Sequence, residues 1–233
     1  MGSTRLPGKV LMPIEGKPML RHIISRLRTC VYIDKIVVAT TTSTSDDAIE
    51  NLCSDNNVDV YRGSEEDVLD RYYQAAKEFK ADVVVRITAD CAVIDPKITD
   101  QVICRYLKNQ DNCDYCSNVV IRTYPNGLET EVFPFKMLQI VWCQAKEKRH
   151  REHVTLYFID HPQDFRLMNV YSPEDLSYLR WTVDQQEDLD LIRQIYQRLY
   201  SDKHIFYTED ILDVMFKEPC LREINKDIQQ QIR

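Results

Sequence analysis

The sequence predicts an α/β protein in which a mostly parallel sheet is packed against helices, in a single domain spanning residues 1–233. Two observations carry this reading. Short β-branched runs alternate with longer stretches of helical period through the first two-thirds of the chain, the order in which βα units feed a parallel sheet. The length of 233 residues, 44% of them hydrophobic, is enough to bury one substantial core.

Strands are expected at 35–40, 58–62 and 82–88, with helices at 18–28, 45–56 and 65–79. In the last helix Val68, Leu69, Tyr72, Ala76 and Phe79 return at spacings of three or four, which places an apolar stripe on one face. The texture changes near residue 114, where strand-like 115–121 and 128–133 flank Pro125-Asn126-Gly127. Asn and Gly both tolerate positive φ, so a hairpin or returning strand is expected. Residues 114–171 read as a small β insert, serving as a flap over the site or a dimer contact. Helical patterns follow at 135–146 and 151–160, then strands at 165–171 and 178–183, the latter ending in Asp184. The helix at 186–200 carries Leu189, Ile192, Ile195 and Leu199 on one stripe, with acidic residues in the first turn where the helix dipole favours them.

A net charge of -7 and a pI near 5.3 leave no broad basic face for nucleic acid, so any bound phosphate must be handled locally. No run approaches the eighteen or so apolar residues of a membrane span, and the first residues lack an apolar signal core, so a cytoplasmic protein without membrane contact is expected. The eight cysteines are too sparse for a disulfide scaffold and read as reduced thiols. Cys113 and Cys116 form a lone CxxC, without the further Cys or His that a zinc site needs.

Chemistry concentrates in residues 2–9. In Gly2-Ser3-Thr4-Arg5-Leu6-Pro7-Gly8-Lys9, small residues let backbone N–H groups approach an anion, and two cations are spaced to reach different phosphates. The Walker pattern is missing, which disfavours P-loop hydrolysis. Read alone, the segment is more readily an ordinary Gly/Pro turn with a solvated Arg and Lys. Asp90 and Asp184 each end a predicted strand, at the edge where open α/β sheets place ligands. Two carboxylates there suit Mg²⁺, which takes oxygen ligands and keeps waters and phosphates for its other positions. Each is also readable as the N-cap of the helix that follows.

The loop, followed by Gly16-Lys17-Pro18-Met19-Leu20, resembles the signature of the cytidylyltransferases that make CMP-sialate and CMP-Kdo, and most of all the branch of the spore-coat polysaccharide biosynthesis protein F. The resemblance runs on through residues 62–72, Arg86-Ile87-Thr88-Ala89-Asp90-Cys91, Arg151-Glu152-His153-Val154-Thr155 and Leu179-Arg180-Trp181-Thr182-Val183-Asp184. It implies a three-layer, Rossmann-like nucleotide-diphospho-sugar transferase fold with helices on both faces. It also implies coupling of CTP to an acidic sugar with release of pyrophosphate, in surface or spore-coat polysaccharide biosynthesis, and a homodimer.

By the same resemblance, Arg5 and Lys9 act catalytically, and Gly2, Ser3, Arg5, Lys9 and Lys17 contact the triphosphate. Thr41 and Arg62 lie near the base, Asp90 and Asp184 hold Mg²⁺, and Arg180 is a weaker site candidate. Arg122, Asn126 and Glu131, around the Asn-Gly turn with Glu129, and the polar cluster Arg151, Glu152 and His153 are expected on the sugar side; His153 is as readable as a satisfied helix histidine.

Two departures stand out. Ala92 follows Asp90-Cys91 where relatives carry proline. In the resembling proteins an apolar strand precedes the phosphate loop and sits centrally, whereas this sequence starts after it, so ladder groups on two neighbouring strands are expected to lack partners. Two alternatives stay open: a glycosyltransferase of the related fold, for which Asp188-Leu-Asp190 is the tempting metal motif, and a non-catalytic nucleotide-binding protein. The predicted helix weakens the first, because residues two apart point to different faces.

Overall fold

The computed structural model describes residues 1–3 and 5–228. Its opening loop leads into two short paired strands, β1 (Pro13–Ile14) and β2 (Lys17–Pro18), then α1 (Met19–Leu27), β3 (Val37–Thr41), α2 (Asp47–Asp55), β4 (Asp59–Gly63), α3 (Val68–Glu78) and β5 (Val83–Arg86). There follow α4 (Pro96–Leu107), β6 (Tyr115–Ser117), β7 (Glu131–Pro134), α5 (Phe135–Gln144), α6 (Lys148–Glu152), α7 (Leu156–Asp160), β8 (Leu167–Asn169), α8 (Gln186–Leu199) and α9 (Thr208–Lys217).

Strand polarity is mostly parallel. β3 pairs parallel with β4 and β6 with β8, while β7 runs antiparallel between β5 and β6. Residues 114–171, expected as a flap or dimer contact, contribute β6, β7 and β8 to a four-stranded sheet in the order β5-β7-β6-β8. The returning strand is there, since Cys116 pairs with Val132 across the β6–β7 ladder.

Alternation along the strands separates two cores. Tyr115 and Phe133 join Leu69 and Tyr73 of α3 and Leu138 and Val141 of α5, whereas Cys116 and Val132 join α1, α4, α8 and α9 through Ile23, Val102, Ile192 and Ile211. Successive strand side chains point to opposite faces, so both faces are covered by helices and the three-layer expectation holds. A smaller cluster, Leu20, Ile24, Ile49, Cys53 and Val58, seats α1 and α2 beside β3 and β4.

Three expectations need correction. Residues 178–183 form no strand; only Arg180 bridges to Asn126, and Gly127 is the reason the two segments come so close. Its φ is +110°, and a Cβ there would lie 2.6 Å from backbone atoms of Trp181 and Thr182. The helix expected at 151–160 is broken between Glu152 and Leu156 into α6 and α7. The helix expected directly after Asp90 starts only at Pro96, as α4; Asp95 caps it in place of Asp90, accepting from the N–H groups of Lys97 and Ile98, and Pro96 opens it.

Candidate active site

Three chain segments converge beyond the carboxyl end of β5. Residues 87–90 carry that strand on to Asp90, residues 180–184 lead into α8, and the opening loop lies over both, with Thr4 outside the described residues. The Val183 N–H donates to the Asp90 carbonyl at 2.9 Å, which fixes the two aspartates side by side. Gly8 turns the loop with φ +71°, a left-handed conformation that glycine adopts without a steric penalty, and Lys9 then starts a short 3₁₀ turn.

Lys9 is the hub. Its Nζ donates to the Val183 carbonyl at 2.7 Å and to Asp184 Oδ1 at 2.9 Å, and lies 3.5 Å from Asp90 Oδ2. Arg5 approaches Asp184 Oδ2 to 3.2 Å and Arg180 approaches the same oxygen to 3.0 Å. Burial alone would raise the Asp184 carboxyl, but Lys9, Arg5 and Arg180 together hold it below the usual carboxylate range. Thr88 donates its hydroxyl to Asp90 Oδ1.

Neither aspartate caps a helix. Asp95 caps α4, and α8 opens on Gln185 with Asp188 accepting from the Gln185 N–H, so both carboxylates are left facing the loop cations. Asp188 is completely buried, bonded to Arg180, Asn225 and the Asp184 N–H, and Asp190 lies on the same helix held by Gln186. Those two residues form no shared metal clamp. Among the described residues no group of three or more His, Cys, Asp or Glu side chains could hold a metal. Asp90 and Asp184 instead offer the sparse, all-oxygen set that suits a Mg²⁺ completed by water and phosphate.

The loop is anchored at its start. The Met1 ammonium lies 2.6 Å from Asp46 Oδ1, and Asp46 Oδ2 accepts from the hydroxyls of Thr40 and Thr41 and from the Thr41 N–H. Ser3 Oγ accepts from the Leu6 N–H at 3.3 Å. A Cβ on Gly2 would come within 2.8 Å of Glu65 Oε1, the end of an exposed side chain that can swing aside. Thr41 thus spends its hydroxyl on Asp46. Arg62 bonds the carbonyls of Thr41 and Ser43 and the carboxylates of Asp47 and Glu50, shaping the turn after β3.

Other predicted residues divide. Arg122 bonds Glu129 at 2.5 Å; Glu129 also accepts from the Gly127 N–H at 2.8 Å, and Cys91 Sγ links it to Asp90 at 3.4 and 3.6 Å. Asn126 reaches the same wall through backbone bonds to Leu179 and Trp181. Lys17 is not brought to this cluster: its ammonium bonds Tyr200 and Asp202.

Glu131 is a correction to the sugar-side expectation, because it is buried with its carboxylate paired to Arg86 and accepting from Tyr115 and Thr155 at 2.6 Å each. Arg151 grips Asp67 at 2.5 Å and the Trp142 carbonyl at 2.8 Å, which ties α6 to the start of α3. Glu152 is exposed, and His153 ends α6 with its N–H donating to the Arg149 carbonyl. Glu129 was expected beside the Asn-Gly turn, whereas Thr88, quoted only as part of a motif, and Asp188, read only as half of Asp188-Leu-Asp190, enter the cluster in roles that the sequence did not assign them.

Comparison with known proteins identifies the family. Residues 1–216 match the model of a family described as cytidylyltransferase. An uncharacterized protein of Methanocaldococcus jannaschii is 37% identical, the match covering 99% of this chain and 93% of that protein. The spore coat polysaccharide biosynthesis protein SpsF of Bacillus subtilis is 35% identical over 85% of this chain and 83% of its own length. A cytidylyltransferase structure from Leptospira borgpetersenii superimposes with a TM-score of 0.92 at 31% identity, covering 100% of this chain and 95% of that one.

Proposed function

The chain belongs to the cytidylyltransferase family, and from that premise we propose that it transfers the cytidylyl group of CTP to a hydroxyl of an acidic sugar, in the assembly of a surface or spore-coat polysaccharide. The observation that carries the reading is the single Lys9 ammonium shared by Asp90 and Asp184 at 3.5 and 2.9 Å, with Arg5 and Arg180 on the far oxygen of Asp184. Cations held by Asp184 and Asp90, with the Val183 carbonyl as a further partner of Lys9, can turn to a triphosphate, and carboxylates released from them become free to hold a metal ion.

In the proposed reaction a sugar hydroxyl oxygen forms a bond to the α-phosphorus, the bond from that phosphorus to the bridging oxygen breaks, and pyrophosphate leaves with the electron pair. The hydroxyl proton passes to solvent. Asp90 and Asp184 would hold Mg²⁺, which supplies charge neutralisation at the α-phosphate and lowers the pKa of the attacking hydroxyl. Arg5 and Lys9 hold the β- and γ-phosphates and stabilise the charge that develops on the leaving group, help that is preorganised because the loop is anchored on Asp46 and Gly8. In this reading Arg122, bonded to Glu129 next to Asp90, would meet the carboxylate of an acidic sugar.

The test is a pyrophosphate-release screen with Mg²⁺ that crosses four nucleoside triphosphates with acidic and neutral sugars. Release is expected with CTP and an acidic sugar. Silence across the whole panel, or tighter binding of a finished sugar nucleotide than of CTP, would overturn the reading.

A further inference from the structure

Each aspartate of the site has its two oxygens held in different ways. At Asp90, Oδ1 accepts the Thr88 hydroxyl, while Oδ2 lies 3.5 Å from Lys9 Nζ. At Asp184, Oδ2 accepts from Arg180 Nη2 at 3.0 Å, while Oδ1 accepts from the same Lys9 ammonium at 2.9 Å. Arg5, itself 40% exposed, also approaches Oδ2, to 3.2 Å. One oxygen of each carboxylate is thus bound by a residue of its own chain segment, and the other is turned to the loop lysine.

Arg180 is not free to follow the loop. Its Nε and Nη2 donate to Asp188 Oδ1 and Oδ2 at 2.9 and 3.0 Å, a bidentate pair whose side chains are 6% and 0% exposed. Asp188 Oδ2 also accepts from the Asp184 and Gln185 N–H groups at 3.0 and 3.1 Å. From beyond α9, Asn225 Nδ2 donates to Asp188 Oδ1 and to the Arg180 carbonyl at 3.0 Å each. The buried carboxylate therefore holds Asp184 twice, by its main chain and through Arg180. It also offsets the Arg180 charge, which would otherwise compete with a metal ion for Asp184. Capping of α8 explains why Asp188 accepts main-chain N–H groups, but not why one Arg180 nitrogen is shared between Asp188 and Asp184.

We propose that Thr88 and the Arg180–Asp188 pair are positioning residues for the metal: they fix the outer oxygen of each aspartate, so that Asp90 Oδ2 and Asp184 Oδ1 alone are left to face the ion. The proposal rests on the Mg²⁺ site of the proposed function. When Lys9 and Arg5 turn to a triphosphate, their contacts with the carboxylates are lost together. The Thr88 and Arg180 contacts stay, because neither residue belongs to the loop. Mg²⁺ demands near-ideal geometry and keeps water and phosphate as its other ligands, so two preset single oxygens suit it better than carboxylates free to turn.

The probe is CTP, titrated calorimetrically into the full chain at a series of free Mg²⁺ concentrations. The quantity read is the Mg²⁺ concentration that gives half of the metal's effect on CTP affinity. Asp188→Asn keeps the side-chain shape but leaves Asp184 as the remaining carboxylate on Arg180, and Thr88→Val removes the donor to Asp90. Each is expected to raise the half-effect concentration at least about tenfold, while CTP affinity without metal stays within about threefold of wild type, because Arg5 and Lys9 are untouched. Asn225→Ala, which loosens Asp188 from the other side, should shift it in the same direction by a smaller factor. Melting temperatures are taken alongside, and if Asp188→Asn misfolds, Thr88→Val and Asn225→Ala still decide. A half-effect concentration unchanged in the folded variants would overturn the proposal and leave the proposed function standing. Equal loss of CTP affinity with and without metal, the mark of a purely structural role, would overturn it too. Wild-type CTP affinity that ignores Mg²⁺ would overturn both.

Discussion

A carboxylate meets a guanidinium in two parts of this molecule under opposite conditions. In the sheet interior Glu131 and Arg86 have side chains only 4% and 7% exposed, and every oxygen of Glu131 is engaged by Arg86, Tyr115 or Thr155. Burial there would raise the Glu131 carboxyl, but Arg86 and the two hydroxyls hold it down, so the ion pair is kept charged at depth. At the loop, Lys9, Asp90 and Asp184 are 14 to 20% exposed, Arg5 is 40% exposed, and three cations crowd one carboxylate. The first arrangement is closed and holds β5, β6, β7 and the start of α7 together. The second is partly open to solvent, so similar side chains serve stability in one place and, in the proposed reaction, chemistry in the other.

That contrast breaks most sharply at Glu131. Glu131→Ala leaves Arg86 buried without its partner and is expected to cost about 3–5 kcal/mol, a fall in melting temperature of roughly 10 °C. The folded fraction should keep its KM for the sugar, and a rise in KM at unchanged stability would restore Glu131 to the substrate side. Lys9→Ala should behave in the opposite way, losing about 10²- to 10³-fold in kcat/KM for CTP while its melting temperature stays within a few degrees.

Asp46 gives the pH arm of the comparison. Burial would raise its carboxyl, yet the Met1 ammonium and the hydroxyls of Thr40 and Thr41 hold it well below the usual range. A depressed carboxylate contributes stability that is complete above its unfolded value of about 4 and fades as the pH falls through the folded one. Asp46→Asn should therefore lower stability by about 1–3 kcal/mol near neutral pH, and the gap to wild type should narrow towards roughly pH 2 in thermal melts. The smallest effect is expected at Arg151, where Arg151→Ala loses the Asp67 pair, about 1 kcal/mol by denaturant titration, with the KM for sugar unchanged.

What the sequence makes legible follows from which interactions are local. The βα order, the stripe on α3 and the acidic opening of α8 are written in short-range periodicity, and the structure repeats them within a few residues. Asp90, Asp184, Arg5 and Lys9 could be grouped because each lies in a motif or at a strand end, although Lys9 and Asp184 are 175 residues apart. Glu131 and Arg151 could not be sorted that way. Their partners, Arg86 and Asp67, are 45 and 84 residues distant, and a buried ion pair reads in sequence like a substrate-facing charge. The start of α4 was misplaced towards Asp90 because its true opening, Asp95-Pro96, looks like any turn until the twelve residues from Pro96 to Leu107 are seen to pack.

The most direct test of the loop as the nucleotide site is calorimetric titration of CTP with Mg²⁺ into wild type, Lys9→Ala and Glu131→Gln at matched folded concentrations. Loss of at least about tenfold in affinity for Lys9→Ala, with wild-type affinity kept by Glu131→Gln, is the predicted result. Wild-type affinity in Lys9→Ala would contradict the assignment.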